Sequence, residues 1–344
     1  MFLPRYIDGM LPKRLVFCGG GTRCLVFLQT LVELETAGIL VNVCEYWGTS
    51  AGAFLATLLA LHTTVKIVKE LMFQTDYAKF RDMDITNLLN FSTTWGLDDG
   101  SSLMQELERV FELLRVGSKN VRMCDISGLN IIVSDLNTHQ PVIINAITYP
   151  QMRVITAIRA SMSLPILFRP YINPITHHLW VDGGLHANFP WHLLPDDEAR
   201  KTALGFTFDK SNVGPPRTVT EYILSMIHID ERKKGQDYAH TWPNNILLYP
   251  MPPYPAWFMR LRDDDFRLIE RIGSDAAYAW FKLQATIVKT TEIPPVCEPQ
   301  NTLLPTCPVR HTNELSGIQK PLQSLVSVFP PMPASQHVFR RWSV

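Results

Sequence analysis

Arg14-Leu15-Val16-Phe17-Cys18 is a short apolar run, the pattern of a buried strand, and Gly19-Gly20-Gly21-Thr22-Arg23 follows it at once. From Cys24 to Ala37, apolar Leu25, Leu28, Leu31, Val32 and Leu34 recur at helical spacing. Gly38 suits the left-handed position that closes a helix. A second β-like run, Val41 to Tyr46, leads into Gly48-Thr49-Ser50-Ala51-Gly52, and a helix-like run, Ala51 to Leu61, leads out. Strand, glycine loop, helix, strand, turn, helix is a βαβ opening. It predicts an α/β fold with a mostly parallel central sheet flanked by helices.

Further along, Val65 to Phe73 reads as a helix and Ile85 to Gly100 as a loop-rich stretch. Ser101 or Ser102 is expected to cap a helix through Leu114. Leu129 to Asp135 and Pro141 to Ala146 suit a hairpin. A helix from Pro150 or Gln151 should reach Ser161, with Pro165 blocking its extension. Leu179 to Val181, Ala203 to Phe208 and Ile246 to Tyr249 read as strands, Val219 to Ile229 and Phe266 to Val288 as helices. Beyond Thr290 prolines recur without an apolar period. The pattern divides the chain into a folded domain, 1–290, and a proline-rich, weakly structured tail, 291–344.

Composition narrows the chemistry. Lys+Arg and Asp+Glu both total 32, so the net charge is zero and nothing points to nucleic acid. The six cysteines show no tight metal spacing; Cys18, Cys24 and Cys44 lie in apolar contexts and read as buried thiols of a reducing compartment. The N-terminus lacks the pattern of a secretory signal, and Ala51 to Leu61 is too short to span a bilayer. The expected location is intracellular, cytoplasmic with peripheral membrane association. Asp263-Asp264-Asp265 lacks the spacing of an EF-hand and reads as a solvated acidic turn, so no metal or other cofactor is expected.

Gly48-x-Ser50-x-Gly52 between a strand and a helix is the pattern of a nucleophile elbow, a sharp turn that lifts a serine Oγ to the top of a sheet. An ordinary βα turn of small residues is the competing explanation. The triple glycine could converge backbone N–H groups on an anion. It fails the dinucleotide fingerprint, which needs glycine where Cys24 stands, and it lacks the Gly-Lys-Ser/Thr of a phosphate loop. An oxyanion hole fits it better, against a tight-packing turn. Asp182-Gly183-Gly184 ends a predicted strand. Ligands of open α/β sheets bind off the carboxyl ends of strands, so Asp182 should share an edge with Ser50 and the glycine loop; a routine turn is again the alternative.

Taken in order, Gly19-Gly20-Gly21-Thr22-Arg23, Gly48-Thr49-Ser50-Ala51-Gly52, Ala160-Ser161-Met162-Ser163-Leu164-Pro165 and Asp182-Gly183-Gly184, with Asn188 and Pro190 after them, closely resemble the patatin-like phospholipase family. The resemblance implies a patatin-like α/β/α fold and a lipid acyl hydrolase with a Ser–Asp dyad. Ser50 would be the nucleophile and Asp182 the base. Gly19, Gly20, Gly21 and Ala51 would hold the oxyanion, with Arg23, Gly48, Gly52, Gly183 and Gly184 as motif support. It implies a phospholipid or other acyl-ester lipid as substrate, with transient membrane-surface contact. Trp95 and the Pro250 to Met259 loop, with Trp257 and Phe258, are candidates for that contact. Three other readings stay open. One is a Ser–His–Asp esterase using His186, His192, His228 or His240; the others are a non-catalytic lipid-binding scaffold and an enzyme that transfers the acyl group to an alcohol other than water.

Overall fold

In a computed structural model the described residues hold ten strands: β1 Arg14–Phe17, β2 Glu45–Thr49, β3 Gly96–Asp98, β4 Leu129–Asp135, β5 Gln140–Ile144, β6 Ile166–Phe168, β7 Tyr171–Ile172, β8 Leu179–Asp182, β9 Ala203–Asp209 and β10 Ile246–Pro250. The structure describes residues 11–61, 63–80, 82, 86–114, 120–209, 215, 216, 222, 225, 231–252 and 261–290. The predicted helix from Val219 to Ile229, His228, Trp257 and Phe258, Cys297 and Cys307, and the predicted tail lie outside them wholly or in the main.

The main sheet runs β10-β9-β1-β2-β4-β8-β7, with β5 also paired to β4, while β3 and β6 form a separate pair. Strands β10, β9, β1, β2 and β4 are parallel, which bears out the predicted sheet. Their burial explains their composition: every residue of β4 is buried, as helices covering both faces of a parallel sheet require. Helices α1 (Val26–Thr36), α2 (Ala51–Ala60) and α3 (Val65–Gln74) flank the sheet. A long helix, Asp263–Thr290, lies against α1, where Thr30 Oγ1 donates to the Gly273 carbonyl at 2.7 Å. Among the described residues, no helix is long and apolar enough to cross a membrane.

Several expectations are corrected. The run Val41 to Tyr46 is not the strand: Ile39–Asn42 is a 3-10 turn with Val41 71% exposed, and β2 starts at Glu45, where the register Arg14↔Glu45 begins. Cys44 is exposed rather than buried for the same reason, while Cys18 and Cys24 are buried. The stretch before Gly100 holds short helices, Thr86–Leu89 and Phe91–Thr94, and β3. Helix Ser101–Leu113 is capped by neither serine. Its N-cap is Gly100 at φ 79, and the Asp99 carboxylate accepts the Ser101 N–H at 2.8 Å. The helix ending at Ser161 starts only at Val154, because the backbone just before it pairs instead: Met123 N–H donates to Met152 O and Cys124 N–H to Pro150 O. Asp263-Asp264-Asp265 is the first turn of the long helix, not a loop. Asp265 is buried and accepts the Arg262 N–H at 2.9 Å.

One edge of β4 brings the motifs together. Leu129 to Ile132 pair with β2, ending at Thr49↔Ile132, and Val133 to Asp135 pair with β8, ending at Val133↔Asp182. β5 pairs with Ile131 to Asp135, so it occupies the opposite edge. Strands β2 and β8 therefore lie end to end along the same edge and run toward each other. Their carboxyl ends meet at consecutive residues, Ile132 and Val133. The expectation that Asp182 lies near Ser50 holds, but its stated reason does not: β8 is antiparallel to β4 and stops halfway along it.

Candidate active site

Ser50 joins β2 to α2 at φ 55 and ψ −125, a conformation that L-residues rarely adopt and that costs about 1–3 kcal/mol. The flanking glycines permit the turn by contact rather than by flexibility. A Cβ on Gly48 would lie 2.3 Å from the Gly52 carbonyl oxygen, and a Cβ on Gly52 would lie 2.4 Å from the Cys18 carbonyl oxygen. The start of α2 is thus pressed directly against the ends of β1 and β2. Gly183 makes a comparable approach: its Cβ would lie 2.4 Å from the Ile132 carbonyl oxygen. That close pass lets the chain leave β8 just where β2 has ended.

Ser50 and Asp182 are both buried, at 3% exposure each. The Asp182 carboxyl takes the Gly184 N–H on Oδ1 at 2.8 Å. Burial pushes its pKa up to about 6, against the opposing pull of the Ser50 hydroxyl and the Gly184 N–H. The hydroxyl is therefore near enough to favour the carboxylate. Yet among the described residues neither Ser50 Oγ nor Asp182 Oδ2 completes a hydrogen bond of good geometry. The pair is adjacent without being aligned, a looseness common before substrate binds.

The glycine loop follows β1 and turns into a 3-10 helix, Gly21–Leu25, with Gly21 at φ 60. Arg23 N–H closes this turn on the Gly20 carbonyl at 3.3 Å, so the Arg23 backbone holds the loop. Gly19 is not a free donor. Its N–H donates to the Asn188 carbonyl at 3.0 Å, and Asn188 Nδ2 returns a bond to the Gly19 carbonyl at 3.3 Å. That removes Gly19 from the predicted oxyanion donors and makes it the loop's anchor. Gly21 and Ala51 open a 3-10 helix and an α-helix, where N–H groups have no intrahelical acceptor. Gly184 opens the short helix Gly184–Ala187 and supplies the N–H bound by Asp182.

The sequence passed over an apolar pocket beside these donors. Gly21 and Ala51 lie in its wall, which continues through Leu25, Phe54, Tyr77 and Met162. Its residues come from separate parts of the chain, and no local pattern announces it. Among the described histidines none hydrogen-bonds Asp182. His178 instead pairs with Asp135 at 2.8 Å, His192 stacks on Tyr238, and His186 makes no bond through its buried Nδ1. Among the described residues no group of three or more acidic, histidine or cysteine side chains could hold a metal.

The uncharacterized protein R571 of Acanthamoeba polyphaga mimivirus is 28% identical over 218 residues, 61% of this chain and 69% of that protein. The uncharacterized protein YqhO of Bacillus subtilis (strain 168) is 29% identical over 270 residues, 72% of this chain and 88% of that protein. The crystal structure of VipD from Legionella pneumophila shares the fold, with a TM-score of 0.54 at 15% identity over 83% of this chain and 71% of that one. The model of the patatin family, described as patatin-like phospholipase, matches residues 15–195. That span is more than half of the chain and contains every motif above, so the chain belongs to the patatin-like phospholipase family, whose members are lipid acyl hydrolases.

Proposed function

We propose that this protein hydrolyses acyl esters of lipids, phospholipids foremost, through a Ser50–Asp182 dyad. The observation that carries the reading is the meeting of β2 and β8. It sets a buried serine hydroxyl beside a buried carboxyl of pKa about 6, next to an apolar pocket. The acyl chain fills the pocket and the ester carbonyl lies over Ser50. Asp182 takes the Ser50 proton as Oγ attacks the carbonyl carbon. The N–H groups of Gly20, Gly21 and Ala51 receive the oxyanion, each such donor being worth about 3 kcal/mol in the transition state. Collapse expels the alcohol, which takes the proton from Asp182. Water, deprotonated by Asp182, then attacks the acyl-enzyme, and the fatty acid leaves as Ser50 recovers its proton. A carboxylate of pKa about 6 is a better base near neutrality than an exposed one, so burial serves the chemistry.

The decisive measurement is labelling with a fluorophosphonate, followed by mass analysis of the products formed from defined phospholipids. The wild-type protein should carry the label on Ser50 and release fatty acid, and Ser50→Ala should do neither. Unlabelled wild-type protein that binds phospholipid without cleaving it would replace the enzyme with a lipid-binding scaffold.

Transient contact with a membrane surface belongs to the same reading. Leu89, 85% exposed, ends the short helix Thr86–Leu89, and Trp95, 58% exposed, joins the short helix Phe91–Thr94 to β3, all between the pocket-lining Tyr77 and helix Ser101–Leu113. Leu89→Ser with Trp95→Ser should weaken binding to phosphatidylcholine vesicles, read by sedimentation, by on the order of 30-fold, apolar side chains at an interface contributing on the order of 1 kcal/mol each. Hydrolysis of a water-soluble ester should be unchanged. A parallel loss of both would show a damaged fold rather than a lost contact.

A further inference from the structure

We propose that the segment Ser161–Met162–Ser163 positions both reacting side chains and makes their alignment depend on the acyl chain in the pocket. The proposal rests on the reading of Ser50 and Asp182 as the reacting pair.

Ser161 ends the helix that starts at Val154 and is fully buried. Its Oγ accepts the Ser50 N–H at 2.8 Å and donates to the Ile132 carbonyl at 2.5 Å. It therefore ties the strained elbow to the β4 residue at which β2 ends. The Ser50 N–H precedes α2 and has no acceptor within that helix; without Ser161 it would be a buried donor with nothing to bond. Two residues on, the Ser163 carbonyl accepts the Asp182 N–H at 2.9 Å. Ser163 is itself fixed by Arg159, which donates from Nη1 to Ser163 Oγ at 2.6 Å, while that hydroxyl donates to the Arg159 carbonyl at 2.9 Å. The backbones of nucleophile and base thus hang from one turn of chain.

Met162 stands between the two serines and lines the apolar pocket with Gly21, Ala51 and Phe54. A chain that fills the pocket presses on Met162, and Met162 cannot shift without its neighbours. Ser50 and Asp182 are adjacent but not aligned in the structure, so a small displacement of this segment bears directly on the missing bond. Contact far from the ester is then expressed in the rate of the chemical step rather than in affinity alone.

The test compares kcat and KM for nitrophenyl butyrate, octanoate and laurate. In the wild-type enzyme kcat should rise along the series. Met162→Ala should flatten that rise to within about twofold while KM still falls with chain length, and Met162→Leu, of similar volume, should keep the rise. Ser161→Ala should lower kcat on all three esters, by on the order of 10²-fold, with KM nearly unchanged. Ser134→Ala, which removes a fully buried hydroxyl of β4 that has no hydrogen-bond partner among the described residues, is the control and should leave kcat as it is. A wild-type kcat indifferent to chain length would overturn the proposal, as would a Met162→Ala variant that keeps the rise and changes only KM. Unchanged kcat in Ser161→Ala would overturn it too. If Ser161→Ala does not fold, the methionine pair decides. Fluorophosphonate labelling separates the two failures. Labelled, hydrolysing wild-type protein with an unaltered chain-length response in Met162→Ala sinks this proposal alone, whereas loss of the dyad appears as Ser50→Ala hydrolysing like the wild type.

Discussion

Asp182→Asn should lower kcat/KM on a phospholipid or soluble ester by about 10³-fold or more, while making the fold more stable above pH 6. The two effects share one cause. The carboxyl has a folded-state pKa of about 6 against an ordinary value of 3.8, because burial disfavours its charge. Below about pH 3.8 the folded and unfolded chains both hold the proton, and the group contributes nothing to pH-dependent stability. Between pH 3.8 and 6 the unfolded chain loses its proton first, so stability falls as pH rises. Above about pH 6 the loss is complete, at up to about 3 kcal/mol. Asparagine carries no charge and can keep the acceptor for the Gly184 N–H. Thermal melts at pH 4 and pH 8 should therefore show no gain at the first and a gain of several degrees at the second. For the wild type, kcat/KM should climb with pH through an inflection near 6 as the base loses its proton. An equal change in melting temperature at both pH values would remove charge burial as the explanation. A flat kcat/KM across pH 5 to 7 would remove Asp182 as the base.

Gly52→Ala should unfold the elbow. The new methyl would lie 2.4 Å from the Cys18 carbonyl oxygen and 2.8 Å from that of Phe17, both backbone atoms of the β1 end. Neither can yield without moving β1 or lifting α2 off the sheet, so a loss of about 3 kcal/mol or more is expected, at or beyond the upper range for overpacking. Denaturant melts read the loss, and fluorophosphonate labelling should fall with it. Gly235→Ala is the comparison: among the described residues its Cβ would meet only Thr207 Oγ1, at 3.6 Å, within helix Glu231–Thr241. There alanine should stabilise by up to about 1 kcal/mol. Equal tolerance of both changes would mean that the Gly48-x-Ser50-x-Gly52 spacing reflects no packing demand.

The Gly48-x-Ser50-x-Gly52 turn was legible because its demand is local. The two glycines lie within two residues of the serine whose turn they permit, and strand and helix periodicities flank it. The βαβ opening and the hairpin Leu129–Asp135 with Gln140–Ile144 were legible for the same reason. Other features resisted reading because their causes lie far along the chain. Val41 is as apolar as any strand residue, yet it is exposed because the β1 register begins at Glu45. Gly19 looks like its two neighbours, yet its N–H is taken by Asn188, 169 residues away.

By itself, then, the sequence determined which residue types could carry the chemistry and where the backbone had to turn, since spacing along a strand or helix is enough to fix both. Tertiary structure decided which of those residues meet. Asp182 reaches Ser50 because a short antiparallel strand halts against the β4 residue next to the one where β2 ends. That register depends on how far each strand extends along a shared neighbour, a long-range quantity that no local pattern encodes.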